Sequence, residues 1–258
     1  MNRAILFLAA AVLAAGVAAA DDKPTTGKLE AKKFEKEVKV KVEQDYLLCL
    51  PKDYDKEKSW PLVLFLHGAG ETGTDLDKVK AHGPPKLLAN GKEFPFVLVA
   101  PQARRFGWDP ATLHALLDEI TAGYKIDPDR VYLTGLSMGG MGTWATAAAK
   151  PERFAAIVPI CGAGDPKDAK KLKDLPIRIF QGGKDTTVKP ETAERMLKAL
   201  QDAGAKDVEL KVYPDAGHDS WTATYDDEKM WEWLLKQKRT AKPADPKPGD
   251  PKPTEPKK

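Results

Sequence analysis

Six short, apolar-rich runs recur along this chain, at residues 61–66, 96–100, 131–133, 155–160, 177–180 and 208–212. Runs of this kind suit strands buried on both faces, as in parallel sheets. Helical patterns lie among them at 111–122, 138–149 and 191–203, with a last one at 226–238. Strand alternating with helix leaves few architectures, and a single doubly wound sheet is the simplest. Residues 37–42 alternate with period two, and a second strand pattern at 46–50 follows a short turn. These two read as an antiparallel hairpin at the sheet's N-terminal edge. The predicted fold is α/β, with about eight strands, mostly parallel, and no internal repeat.

Both ends of the chain fall outside this pattern. Arg3, an apolar stretch over 5–17 and three alanines at 18–20 read as an export signal covering residues 1–20. The apolar stretch is short for a membrane span, so stable insertion is not expected after cleavage. Residues 21–33 read as a linker and 34–240 as the folded domain. The final stretch, 241–258, repeats proline every few positions and offers nothing apolar to bury; it reads as an extended, solvated tail. The predicted location is secreted or periplasmic. Lys and Arg total 41 against 38 Asp and Glu, so nothing favours a nucleic-acid partner or an anionic membrane. Cys49 and Cys161 each sit in an apolar strand pattern and read as two separate buried thiols rather than a bridge. No Cys/His metal spacing appears, and no metal or organic cofactor is implied.

One serine stands apart. The run VYLTGLSMGG at 131–140 passes from a strand through Gly135-Leu136-Ser137-Met138-Gly139 into a helix. A bend this sharp forces unusual backbone angles on the serine and brings strand and helix into contact. Glycine at 135 and 139 removes the collision that larger residues would cause. The helix then points its amide end at Ser137, which favours developing negative charge. The competing reading is a helix-capping serine in a tight glycine turn.

A serine hydroxyl is a poor nucleophile unless a base takes its proton. The chain holds only four histidines, so elimination is practical. His114 sits mid-helix and reads as solvent-exposed. His67 ends a strand and reads as a brace for the following loop. His82 precedes a helix-like stretch. His218, in YPDAGHDSW at 213–221, occupies a loop beyond the last strand with one helix still to come. It is the favoured base. The orienting carboxylate belongs to a strand end between serine and histidine, which favours Asp185 over its rival Asp165. An oxyanion hole would take the Met138 N–H and one amide from the glycine-rich loop at 67–73, with Ala69 favoured over Gly68 or Gly70.

Taken together, HGAGETGTD (67–75), HGPPKLL (82–88), GLSMGGMGTW (135–144), PERFAAIVPICGAGD (151–165) and YPDAGHDSW resemble secreted bacterial α/β-hydrolases. These are the esterases related to polyhydroxybutyrate depolymerases and to feruloyl and acetylxylan esterases, often labelled prolyl-oligopeptidase-family or phospholipase/carboxylesterase proteins. The resemblance runs from about 34 to 239 and implies an α/β-hydrolase fold with Ser137 as nucleophile, Asp185 as acid and His218 as base. It departs at Thr72, where such loops more often carry arginine, and at Cys49, where an aromatic is more usual.

The connection at 164–175 is too short for a lid domain, so an open site is expected. Trp108 and Trp221 follow strand ends and are candidate substrate contacts, able to stack on a ring, or else simple loop packing. Trp144, Trp231 and Trp233 read as core. The expected activity is hydrolysis of a carboxylic ester, either a small molecule or one linked to a polymer, through an acyl-enzyme. The alternatives are a serine peptidase, a dienelactone-hydrolase-like enzyme, and a catalytically silent envelope binding protein on the same scaffold.

Overall fold

The computed structural model describes residues 41–239. The expected export signal, the linker, residues 37–40 of the expected hairpin and the Pro/Lys-rich tail lie outside the described residues. Within them, seven strands form one sheet in the order β1-β3-β2-β4-β5-β6-β7. The strands are β1 (Tyr46–Cys49), β2 (Trp60–Leu66), β3 (Val97–Pro101), β4 (Ile126–Leu136), β5 (Ala156–Ile160), β6 (Ile177–Gly182) and β7 (Val208–Tyr213). All neighbours run parallel except β1, which is antiparallel to β3.

Side chains on the central strands alternate between two apolar layers, as period two requires. Leu62, Leu64 and Leu66 enter one layer, while Val63 and Phe65 enter the other. The first layer is covered by α2 (Pro110–Gly123), α3 (Met138–Ala149), α4 (Ala169–Leu172) and α5 (Pro190–Asp202). The second is covered by α1 (Gly83–Ala89), α6 (Trp221–Asp226) and α7 (Glu228–Lys236). Burial on both faces is the physical reason the central strands carry almost no charge along their buried stretches; Asp127, Asp129 and Arg130 fall in the less buried first half of β4. Edge strand β7 alternates half-buried and exposed positions from Val208 to Lys211, which is why Glu209 and Lys211 are tolerated there.

Several expectations need correction. The C-terminal helix pattern is two helices, because Asp227 adopts an extended backbone between them and its carboxylate accepts the Lys229 N–H, capping α7. His114 is not exposed: only 3 % of it is accessible, where α2 packs on α3, and its Nε2 bonds Thr146 O at 3.1 Å. Trp233 is not core but partly exposed, with the Arg178 guanidinium 4.3 Å over its ring. The two cysteines are unbridged, as expected, and Cys161 is fully buried, but Cys49, on the edge strand, is only partly so. The connection between β5 and β6 holds one 3₁₀ turn and the four residues of α4, anchored by buried Ala169 and Leu172.

The register brings the functional loops to one rim. Leu66 pairs with Gly135, Leu136 with Ile160, Ile160 with Phe180, and Gly182 with Tyr213. The loops after β2, β4, β6 and β7 therefore leave the sheet side by side at its carboxyl edge, where α/β sheets place ligands.

Candidate active site

Ser137 occupies the bend between β4 and α3 with φ 53° and ψ −116°. A residue other than glycine rarely adopts positive φ, and such strain persists only where the surroundings impose it. Here the surroundings are backbone. A β-carbon on Gly135 would overlap the Gly139 carbonyl, and one on Gly139 would overlap the Leu66 carbonyl. Gly140 is pressed equally tightly against Ile160 O. The Ser137 N–H donates to that same Ile160 O at 2.9 Å, which pins the bend.

The loops after β6 and β7 complete a hydrogen-bonded relay. The Ser137 hydroxyl lies 2.8 Å from His218 Nε2, and His218 Nδ1 lies 2.7 Å from Asp185 Oδ2. A carboxylate accepts and does not donate, so Nδ1 carries the proton and Nε2 is left to accept from the serine. Asp185 is held from behind. Its Oδ1 accepts from Thr187 N at 2.8 Å and Val188 N at 2.9 Å, and its Oδ2 also accepts from Gln181 Nε2 at 3.1 Å. Asp165, the rival carboxylate, instead caps a 3₁₀ turn by accepting from Lys167 N.

Met138 is the first residue of α3, so its N–H is among those a helix leaves without an internal acceptor. Its buried side chain accepts the Gly107 N–H at Sδ, 3.1 Å away. Ala69 opens a 3₁₀ turn at Ala69–Glu71, three residues beyond Leu66. The loop is anchored by His67, whose Nε2 accepts the Ala103 N–H at 3.0 Å and whose Nδ1 donates to Gly68 O at 2.6 Å. Gln102 adds bonds from Nε2 to Glu71 O (2.8 Å) and Asp75 O (2.7 Å). Burial holds the His67 imidazole below the usual histidine range, outweighing its bond to Gly68 and the Glu71 charge.

Trp108 stacks edge-on to His67, donates from Nε1 to His67 O at 3.3 Å, and fills the space that a side chain on Gly142 would need. That geometry braces the loop. Trp221 lies beside the base, its ring 5.3 Å from that of His218 and perpendicular to it. Phe106, which the sequence reading passed over, is 71 % exposed one residue before Gly107. An aromatic in an irregular loop carries no periodic signal, so only the structure singles Phe106 out.

Cys161 lies in the same neighbourhood: its Sγ, a carboxylate oxygen of Asp185 and a ring nitrogen of His218 are all within 4.8 Å of one another. Burial pushes the Cys161 thiol up to about 12. Metals and electrophiles take the thiolate, and Asp185 already accepts four hydrogen bonds, so these groups make a poor metal site. Cys161 itself has φ 39°, the second residue other than glycine at positive φ among the described residues.

A sequence model described as the dienelactone hydrolase family matches residues 110–239, half of the 258-residue chain. The chain is 29 % identical over 125 residues to "Probable feruloyl esterase C" of Aspergillus terreus, covering 46 % of each. It is 32 % identical over 120 residues to poly(3-hydroxyalkanoate) depolymerase C of Paucimonas lemoignei, covering 40 % of this chain and 28 % of that one. The matches span less than half the length of these curated relatives. Among solved structures, a thermostable esterase superposes with a TM-score of 0.66 at 34 % identity, over 77 % of this chain and 60 % of the other.

Proposed function

The chain belongs to the dienelactone hydrolase family, with an α/β-hydrolase fold, and on that premise we propose that it is a serine esterase acting on carboxylic esters through an acyl-enzyme. The observation that carries the reading is the unbroken relay Ser137–His218–Asp185, with both contacts at hydrogen-bond distance. Relatives named as a feruloyl esterase and a polyhydroxyalkanoate depolymerase support ester chemistry.

In the proposed reaction, Ser137 Oγ attacks the ester carbonyl carbon while His218 Nε2 takes its proton. Charge gathers on the former carbonyl oxygen, where the Met138 and Ala69 amides would receive it; one such donor contributes roughly 3–4 kcal/mol of barrier lowering. The tetrahedral species collapses, the alcohol leaves with the proton returned by His218, and the acyl group stays on Ser137. Water then repeats the sequence, deprotonated by His218, and releases the acid. Asp185 holds the tautomer and stabilises the imidazolium throughout. Trp221, beside the base, would contact the substrate, with Trp108 backing the Ala69 loop. The short β5–β6 connection leaves room for an ester carried on a small molecule or a polymer. No cofactor enters these steps. Export through residues 1–20 is part of the proposal and would place the enzyme outside the cytoplasm.

The deciding experiment compares p-nitrophenyl acetate and butyrate hydrolysis by wild type and Ser137→Ala. Loss of at least about 10³-fold is expected in the variant; equal rates would remove the reading. A peptide p-nitroanilide distinguishes a peptidase, and methyl ferulate with acetylated xylan tests the acyl and alcohol groups. N-terminal sequencing of material collected outside the cytoplasm tests cleavage after Ala20.

A further inference from the structure

The loop that offers the Ala69 amide also carries a carboxylate with no part in the proposed chemistry. Glu71 is 7 % exposed, and its Oε2 has no hydrogen-bond partner among the described residues. Burying a carboxylate without a partner is costly, so its neighbours decide what it does. Two imidazoles flank it: His67 Nδ1 is 3.9 Å from Oε2, and His82 Nε2 is 3.8 Å from Oε1. His67 is already committed at both nitrogens, donating to Gly68 O and accepting from Ala103 N–H. The second of those bonds requires an unprotonated Nε2, which keeps His67 neutral. The His82 side chain makes no hydrogen bond among the described residues; its Nε2 lies about an ångström beyond hydrogen-bond distance of Glu71 Oε1.

His82 also touches the segment that follows His218. Its ring packs edge-on against Trp221 at 5.4 Å, and Trp221 packs edge-on against His218 at 5.3 Å. The Trp221 Nε1 is buried and unpartnered as well. The backbone fixes His82 in place. Gly83 follows at φ 61°, where a side chain would collide with the Phe65 ring 2.6 Å away, and Pro84 and Pro85 open α1. Helix α1 in turn packs on α6, which begins at Trp221.

We propose that Glu71 and His82 are positioning residues. As a pair they join the loop carrying the oxyanion amide to the loop carrying the base, through the contact of His82 with Trp221. Glu71 lies two residues beyond Ala69, and Trp221 lies against His218, so the pair sets the spacing between the two halves of the machinery. Small errors in that spacing are expensive for the reaction: about an ångström can cost up to roughly 100-fold. Adjacency alone does not establish coupling, and a double-mutant cycle does. This inference rests on the serine-esterase reading.

The test uses the full chain as wild type, Glu71→Gln, His82→Ala, His82→Gln and the Glu71→Gln/His82→Ala double variant. The measurements are kcat and KM on p-nitrophenyl acetate and the rate of Ser137 phosphorylation by diethyl p-nitrophenyl phosphate. Glu71→Gln and His82→Ala should each lower kcat about tenfold with KM within about twofold. The double variant should fall no further than either single one. His82→Gln, whose amide keeps a donor near the Nε2 position, should recover most of the loss. Single variants within about twofold of wild type, losses that multiply in the double variant, or a loss carried by KM would overturn the inference. If Glu71→Gln does not fold, the two His82 variants decide: a loss repaired by glutamine supports the pair, and an unrepaired one overturns it. A wild type that neither turns over ester nor is phosphorylated overturns the esterase reading and this inference with it, whereas an active wild type with silent variants removes this inference alone.

Discussion

Gly139 and the carbonyl of Leu66 meet backbone to backbone, so closely that a single added β-carbon would overlap the oxygen. This contact lets α3 begin directly against β2 and turns Ser137 towards the rim. Gly139→Ala should therefore damage both folding and activity. Overpacking against main chain that cannot retreat costs about 3 kcal/mol. For a domain of this size that lowers the thermal midpoint by about 6–12 °C. Gly123→Ala is the control: nothing lies within 4 Å of its added carbon at the end of α2, and helix propensity makes it neutral or mildly stabilising. Calorimetry on both variants checks the contrast.

Asp185→Asn should leave Ser137 and His218 in place and still abolish most turnover. The new amide nitrogen cannot accept from His218 Nδ1–H as the carboxylate does, so the imidazole loses its enforced tautomer. A fall in kcat of about 10⁴-fold is expected, with KM little changed. Steady-state kinetics on p-nitrophenyl butyrate would show it, and a variant within tenfold of wild type would mean that Asp185 does not orient the base.

Stability should decline on mild acidification because two buried imidazoles resist protonation. Burial lowers both His67 and His114, against smaller raising effects from their backbone bonds. The unfolded chain takes up these protons first, near the ordinary histidine value, about 6.5. Between there and the lower folded values the unfolded state binds more protons, so stability rises with pH across that window. It is fully present above it, is lost as pH falls through it, and stops falling once both states are protonated. Urea unfolding at pH 7.5 and pH 5 should show the difference, and His114→Gln should remove part of it.

Cys161 should behave as an inert group despite its place beneath the relay. With no accessible surface and a thiol pushed up to about 12, it offers almost no thiolate at neutral pH. Iodoacetamide should leave esterase activity intact, and Cys161 should be alkylated only after unfolding. Rapid inactivation tracking its alkylation would point to a thiol, not Ser137, as the reacting group.

Trp221→Ala should lower kcat on p-nitrophenyl acetate about tenfold, as loss of the His82 contact does, and in addition raise KM several-fold for esters with aromatic or bulky acyl groups. The indole lies beside His218, where the substrate would enter. Comparing p-nitrophenyl acetate with methyl ferulate separates loss of contact from general damage: equal losses on both would assign Trp221 to support rather than recognition.

Much of this arrangement was legible in one dimension. The apolar runs marked the central strands because burial on two faces excludes charge, and Gly135, Ser137 and Gly139 marked the bend because only glycine tolerates that packing. The order serine, aspartate, histidine could be read because each lies just past an apolar run, and loops at strand ends share a rim. Less legible was anything fixed by contacts between distant segments. His114 looked exposed because its helix neighbours could not be known, and Trp233, on α7, looked like core because its partner, Arg178, comes from strand β6. The break at Asp227 was hidden because a capping aspartate resembles any polar residue within a helix.

By itself, then, the order of residues determined which groups could do chemistry and which edge of the sheet would carry them, since local backbone sterics and burial depend on near neighbours. Tertiary structure alone decided that His67 is locked neutral by Ala103, that Arg178 covers Trp233, and that His82 packs against Trp221. Those pairings join segments far apart in the chain, and strand register, which depends on every strand packing at once, sets their distances.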